Sequence, residues 1–451
     1  MKKLMKICML VACFAAGCST TIKNEYLGNL EVGYHINIDG QEIDQERLEF
    51  YYGNELTRYV NRVDSLLGTY EGALSFQVED DINDLRNQDC QIKGYEDKSW
   101  EYYFADKAKD TLHEIEALTL AAKEDGFEIN DEDKENAKIA YQQIEKYCET
   151  SEISINDYIR STFGLKATKN TIIKNYQEIE LAQRYADYLF VEPTREEVER
   201  YYEEHPSEID TVNIRYLAFS LNEKDEATQF VNNVKSEADF IQLAMQLRNQ
   251  DTDFTLRTDL RKTDVPTYLQ EPIFHAPMQV TEVKMVEWER GYDVVMLIKR
   301  EKPMYRQANI STIYVDAKIS DGDELRDEKM ETSRQYAEDI LSIFLNGEDT
   351  SLEQFHALNK EFSDVTTNQG DYSGLSKLDI SKDISDWIFT GDREEGETKV
   401  LSSTTGYTII YFRSYGDIAY YAQAKELEKV RQYDIKLETM KEAIEIHLIE
   451  K

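Results

Sequence analysis

The sequence predicts a multidomain α+β protein. A helical lobe is completed by a helix at the C-terminus, and two copies of one small α/β module lie between them. Three observations carry this prediction. All six prolines (Pro193, Pro206, Pro266, Pro272, Pro277 and Pro303) fall between residues 193 and 303, so the first 192 residues lack the strongest helix breaker. Apolar residues in that proline-free stretch recur at steps of three and four, the spacing of one helix face. The middle of the chain repeats itself, with Leu260 to Phe274 matching Leu375 to Phe389 without a gap.

Residues 31–43 open as a short strand with a turn at Asp39-Gly40. A helix follows through Leu48, Tyr52, Leu56, Tyr59 and Val63, and residues 75–98 are polar and irregular. Trp100, Phe104, Ala108, Leu112, Ile115, Leu118 and Ala122 form a long stripe that stops near Gly126. Asn130 and Asp133 form a capping box for a helix to about Cys148. Ser154 to Phe163 and Lys169 to Leu189 are two more helices, and Pro193-Thr194 with Glu196 and Glu197 opens a connecting helix to about Glu204. Over 421–449, Leu427, Val430, Leu437, Met440, Ile444 and Leu448 predict a single amphipathic helix whose stripe needs a partner.

In the repeat, Leu, Lys, Asp, a β-branched residue, an aliphatic, an acid and Ile-Phe recur in register. At the same offset Glu282 meets Glu397, Lys284 meets Lys399, and Gly291-Tyr292 meets Gly406-Tyr407. Each Gly-Tyr leads into a strand, Val294 to Leu297 or Ile409 to Phe412, and an opening strand precedes each block at Ile214 to Phe219 and Ile310 to Val315. The second copy holds extra residues between its opening strand and its block. Two copies of one small α/β module account for the pattern.

The N-terminus reads as a processing segment. Lys2, Lys3 and Lys6 precede an apolar run from Ile7 to Ala16, which is a secretory signal too short to anchor by spanning. Ala15-Ala16-Gly17-Cys18 resembles a bacterial lipobox, in which cleavage leaves Cys18 at the N-terminus to carry a diacylglycerol. The alternative is an ordinary signal peptide with an incidental Cys18. Cys8 and Cys13 leave with the signal, so the folded part keeps only Cys90 and Cys148; they form either a disulfide or two buried thiols.

With 52 Lys and Arg against 89 Asp and Glu, the formal charge of −37 repels phosphate backbones and excludes nucleic acid as a partner. No HxxxH, CxxC, GxSxG, GxxxxGK or GxGxxG spacing occurs, so no metal site and no cofactor is expected. His113 with Glu116, and His447 with Glu450, are expected as solvated pairs on helices. The 30 Tyr include the adjacent pairs Tyr51-Tyr52, Tyr102-Tyr103, Tyr201-Tyr202 and Tyr420-Tyr421. Such residues suit loose recognition of unfolded chains, or half-buried helix positions.

The module runs strand, helix pair, loop, short helix with an aliphatic-Phe step, Gly-Tyr and closing strand, and it resembles a parvulin domain. The helical first half, the connector Pro193 to Tyr202 and the trailing helix resemble a foldase of the SurA/PrsA type. That resemblance implies a signal peptide over 1–17, a tether over 18–30 and a helical SurA-N-like chaperone domain with connector over 31–205. It further implies a degenerate parvulin-like domain over 211–302, a second over 307–416, and a C-terminal helix over 417–451 packed on the N-terminal lobe. Together with the lipobox it implies a lipid-anchored extracytoplasmic protein, on the outer face of the cell membrane or, alternatively, on an outer membrane, that binds unfolded or nascent secreted polypeptides.

An X–Pro bond isomerises over a barrier of ~20 kcal/mol, which an enzyme lowers by gripping the ring and stabilising the twisted imide. Parvulins do so with two inward His residues around a Cys or Asp, beside an apolar pocket. Carried over position by position, the first-strand His falls at Tyr216 and Thr312, and the last-strand His at Asp293 and Thr408. The acid or thiol is matched by Asp364 in the second copy alone. The pocket is kept in kind as Val265, Leu269 and Phe274, and as Ile380, Ile384 and Phe389. The second copy retains a glycine loop, Gly370 to Gly374. A chaperone with weak or absent isomerase activity is therefore expected. The alternatives are a working isomerase using the second copy and a surface lipoprotein that binds another ligand.

Overall fold

The computed structural model describes residues 28–67, 76, 81–275, 278–320, 322, 324–365 and 370–451; the leader and Cys18 lie outside them. The chain divides into two compact units, Met1–Glu192 with Lys429–Lys451, and Pro193–Glu428.

The first unit opens with a hairpin, β1 (Tyr34–Ile38) and β2 (Gln41–Glu42), turned by Asp39 and Gly40, both at positive φ. Five helices follow: α1 (Gln45–Leu67), α2 (Trp100–Glu124), α3 (Asp131–Thr150), α4 (Ile155–Phe163) and α5 (Lys169–Leu189). Their starts are chemically marked. Ser99 accepts from the Tyr102 amide, and Asn130 and Asp133 satisfy each other's backbone donors in a capping box. The apolar faces close on one core, with Tyr51 and Tyr52 from α1, Trp100, Phe104 and Leu112 from α2, and Tyr176 from α5. The Tyr51-Tyr52 pair is wholly buried and is core, not recognition surface. Cys90 and Cys148 are both buried and both free, which settles the disulfide question against a bridge.

The last helix, α13, spans Ala419–Glu442, and from Lys429 onward it belongs to this unit. Its stripe finds its partner in the core through Tyr433 and Leu437. Tyr433 stacks on Phe190 at 4.5 Å, and Lys436 Nζ donates to the Leu189 carbonyl at 3.1 Å. His113 lies 3.0 Å from the Lys441 carbonyl at the end of α13, so it serves a helix terminus and not Glu116.

The expectation of one helix through residue 449 is corrected. After Glu442 the chain turns, and Ile446–Glu450 forms β11, which pairs antiparallel with β1, Leu448 opposite Ile36. The four-residue interval from Ile444 to Leu448 fits one helical turn or two strand repeats equally well, and only the partner strand decides between them. His447 consequently lies beside Glu445, at 3.2 Å, and not beside Glu450.

The second unit starts with the connector α6 (Arg195–Glu204), capped by Thr194 and Glu197. The first module then runs β3 (Thr211–Ser220), α7 (Lys224–Asn233), α8 (Glu237–Arg248), β4 (Leu256–Leu260), α9 (Thr267–Gln270), β5 (Val283–Trp288) and β6 (Gly291–Glu301). The second runs β7 (Arg306–Asp316), α10 (Arg326–Asn346), α11 (Leu352–Phe362), β8 (Asp371–Leu375), α12 (Lys382–Phe389), β9 (Thr398–Ser402) and β10 (Gly406–Ile418).

Both sheets are antiparallel with one order, β4-β3-β6-β5 and β8-β7-β10-β9. The register is shared as well. Tyr216 opposes Val295 as Thr312 opposes Ile410, and Ser220 opposes Gly291 as Asp316 opposes Gly406. Even the irregularity between Val212 and Ile214 recurs between Ala308 and Ile310. Most of the extra length of the second copy lies in its first helix, 21 residues in α10 against 10 in α7, and in the longer connection that leads into it, from Asp316 to Arg326 against Ser220 to Lys224.

The Gly-Tyr step has a steric cause. A Cβ on Gly291 would stand 2.0 Å from the Phe219 carbonyl oxygen, and one on Gly406 2.1 Å from that of Val315. Only glycine lets the closing strand enter the sheet this close to its neighbour.

Candidate functional site

In each module the two faces of the sheet have different jobs. Leu217, Phe219, Val294 and Met296 point at the helix pair α7 and α8, whose Phe230 and Phe240 complete that core. Ile214, Val295 and Leu297 face the other way, towards the segment carrying α9. Strand alternation puts Tyr216 and Asp293 on this second face, and the structure brings them together.

Asp293 is fully buried. Its Oδ1 accepts from the Tyr216 hydroxyl at 3.1 Å, and its Oδ2 from the Tyr268 hydroxyl at 2.6 Å. Tyr268 stacks on Trp288, centroids 4.9 Å apart and planes 8° from parallel. The Trp288 indole N–H is buried without a hydrogen-bond partner. Burial, reinforced by the Asp293 charge and hydrogen bond, pushes the Tyr216 phenol up to about 12. Burial and the hydrogen bond to Asp293 raise Tyr268 as well. Both phenols are therefore donors, committed to the carboxylate, throughout the physiological pH range.

The apolar pocket implied for this module is corrected by burial. Val265, Leu269 and Phe274 are 4 %, 2 % and 2 % exposed and form an internal core with Ile273, Met278 and Leu297. Arg300 fastens the segment by donating to the Ile273 carbonyl, and its guanidinium lies 5.7 Å from the Phe274 ring centre. What this face presents is the polar-aromatic cluster of Tyr216, Tyr268 and Trp288.

The second module differs. Thr312 donates to the Gly370 carbonyl at 3.3 Å, and Asn359 Nδ2 donates to the Thr312 carbonyl at 2.7 Å. Thr408 is half-buried on β10. Ile380, Ile384 and Phe389 are half-buried around Ile388, and Phe389 packs edge-on to Tyr305 at 5.3 Å. Asp364 does not join this face: its carboxylate accepts from the Asp316 amide at 2.9 Å, and its amide donates to the Tyr314 carbonyl. Asp364 is thus tied to the β7 backbone at Tyr314 and Asp316, past Thr312 along the strand.

The acid with a built environment in this module is Asp371. Its Oδ1 accepts from the Ser311 hydroxyl and lies 2.9 Å from His356 Nε2, while Arg413 reaches Oδ2 at 3.5 Å. Burial opposes ionisation, but the Ser311 and His356 hydrogen bonds and the Arg413 charge outweigh it and hold the carboxyl below its usual range. Ser311 faces the helix pair, as Arg215 does at the equivalent position of the first module, where it pairs with Glu237 at 2.7 Å and with Asp253. These clusters tie edge strand to helix and are not open to a ligand, since Ser311 is fully buried and Arg215 nearly so.

Tyr268, Trp288, Asp371 and His356 escaped the sequence reasoning because none recurs between the copies. The available signal for Tyr268 was its place beside Leu269 on the short helix.

Residues 193–308 match the family described as PPIC-type PPIASE domain, so the match falls on the connector and first module. Among solved structures, the chain is similar to the foldase protein PrsA from Streptococcus pneumoniae, at 15% identity and a TM-score of 0.19, covering 60% of this chain and 98% of that one. It is also similar to one of two SurA-like chaperones of Campylobacter jejuni, at 11% identity and a TM-score of 0.16, covering 69% and 94%. No curated protein matches it. Residues 193–308 of this α+β chain thus form a parvulin-type, PPIC-class peptidyl-prolyl isomerase domain.

Proposed function

We propose that the chain is an extracytoplasmic folding factor, tethered to the outer face of the cell membrane through acylated Cys18, that binds unfolded secreted polypeptides with weak or absent isomerase activity. One observation carries the non-catalytic part. In the domain that matches the isomerase family, the two positions of the catalytic His pair are Tyr216 and Asp293, hydrogen-bonded to each other, with Tyr268 as a third partner. The Tyr216 and Tyr268 hydroxyls are spent on that carboxylate and have no proton to trade near neutral pH.

A protease-coupled assay on a proline peptide tests this; a rate equal to the buffer control is expected. Purified residues 19–451 should delay aggregation of denatured clients at near-stoichiometric ratio, and basic clients most, given a formal charge of −40, 49 Lys and Arg against 89 Asp and Glu, once Lys2, Lys3 and Lys6 are removed. No delay with several clients would overturn the chaperone reading. Cys18→Ala should release the protein to the soluble fraction, and unchanged membrane retention would overturn the tether.

A second reading, isomerase activity in the second module, is favoured by the half-exposed Ile380, Ile384 and Phe389. It predicts a measurable rate that Phe389→Ala abolishes.

A further inference from the structure

The two modules carry one turn twice, and in the folded chain the two turns meet. Arg261 to Asp264 of the first module aligns with Ser376 to Asp379 of the second. In each, the acid closes the turn on itself. The Asp264 carboxylate accepts from the Arg261 amide at 2.9 Å, and the Asp379 carboxylate from the Ser376 amide at 3.0 Å. The amides of Asp264 and Asp379 donate back to the carbonyls of Arg261 and Ser376 at 2.9 and 3.2 Å. The second copy makes this turn with a serine where the first has Arg261, so the turn itself needs no guanidinium.

The Arg261 side chain is spent elsewhere. Its Nε donates to Asp264 at 3.2 Å, while its Nη1 crosses to the second module and donates to Asp379 Oδ1 at 2.7 Å. One guanidinium thereby joins an acid to its own counterpart in the other copy. Asp379 divides its oxygens accordingly, Oδ2 for its own turn and Oδ1 for Arg261. A planar fork serves two acceptors in fixed directions, which a lysine ammonium would not.

The position of this pair gives it leverage. The link between the modules is four residues, Lys302 to Tyr305, between the end of β6 and the start of β7. Tyr305 is fastened to the second module, its hydroxyl donating to Ser376 Oγ at 3.0 Å and its ring packed on Phe389. A short link alone leaves two modules free to rotate about it, and an attachment at a second point removes that freedom. The paired turns lead directly into α9 and α12, so Arg261 ties together the segments that cover the second face of each sheet.

We infer that Arg261 is a salt-sensitive clasp that fixes the angle between the two modules. Its side chain is 34 % exposed and that of Asp379 39 %, so the attraction is open to screening, whose length falls from ~10 Å at 0.1 M salt to ~3 Å at 1 M. An exposed pair shifts an equilibrium by about two- to fivefold, enough to widen the spread of angles while both modules stay folded. The clasp goes beyond the client-binding reading and does not depend on it.

The test uses the full chain with spin labels introduced as noncanonical residues at Gln242 and Ala357, matching positions on α8 and α11, which leaves the native thiols untouched. Pulsed electron paramagnetic resonance reads the spread of distances between the labels. The wild type should give a narrow distribution at low salt and a broader one in about 1 M NaCl. Arg261→Gln should be broad already at low salt and indifferent to added salt. Asp379→Asn keeps an oxygen for the Ser376 amide, and with it the turn, but removes the charge. It should match Arg261→Gln, and it carries the test if the Gln variant loses its near-UV circular dichroism. The double variant should be no broader than either single one. A single variant as narrow and as salt-responsive as the wild type, or a double variant broader than both singles, overturns the clasp and leaves the client-binding reading standing.

Discussion

Gly291→Ala and Gly406→Ala test the duplicated module with each copy serving as the control for the other. In both, the new methyl would stand about 2 Å from a carbonyl oxygen of the neighbouring central strand. That oxygen belongs to a paired backbone and cannot swing away as a side chain would, so the strands must part. Ser220 with Gly291 and Phe219 with Tyr292 lose their spacing in one copy, and Asp316 with Gly406 and Val315 with Tyr407 in the other. Overpacking costs ~1–3 kcal/mol, and each weakened ladder hydrogen bond adds about 1 kcal/mol, giving roughly 2–4 kcal/mol per module. Hydrogen exchange read by mass spectrometry separates the modules within one chain. Gly291→Ala should speed exchange in β6, and Gly406→Ala in β10, by roughly thirtyfold or more, each leaving the other module near wild type. Unchanged exchange in β10 of Gly406→Ala would refute the steric account of the Gly-Tyr step. A response of both modules to either change would refute their independence.

Other outcomes follow from single sites. The Asp371 carboxyl is held below its unfolded value, so the stability it contributes is present above that value and is lost as pH falls through the folded one. Asp371→Asn should therefore lower the urea midpoint of the second module at pH 7 and make little difference near pH 2; an equal loss at both would remove the electrostatic explanation. Burial raises both thiols, Cys148 to about 11, so an aromatic disulfide reagent should titrate Cys90 and Cys148 only on unfolding. Rapid reaction in the native state would contradict their burial. Lys302 Nζ lies 3.9 Å from the Tyr202 ring centre and 3.5 Å from that of Tyr420, so Lys302→Met should cost about 1–2 kcal/mol at neutral pH, with Lys302→Arg restoring most of it. Equal stability of the Met variant and the wild type would show that the rings need no cation.

The helices were legible because their evidence is local: caps such as Asn130 and Thr194, and stripes such as Trp100 to Ala122, need no distant partner to be read. The duplication was legible for a related reason. A shared register forces shared spacing of Gly-Tyr, aliphatic and acidic positions, and that spacing is written along the chain. The candidate site was legible only in part. Tyr216 and Asp293 stand where strand alternation puts them, whereas Tyr268 arrives from a short helix and Trp288 from an edge strand, and nothing along the chain couples the two.

Apolar pattern, proline placement and internal repetition alone determined that this protein has a helical part and two kindred sheet modules, since each is a property of short windows or of their recurrence. The tertiary structure decided what those windows could not. It made residues 446–450 a strand, kept the two cysteines apart, buried Val265, Leu269 and Phe274, and set two phenols on one carboxylate. Each of those outcomes depends on what lies across a gap in space, and an interval of four residues, a lone thiol or an aliphatic side chain is compatible with more than one neighbour until the packed chain supplies it.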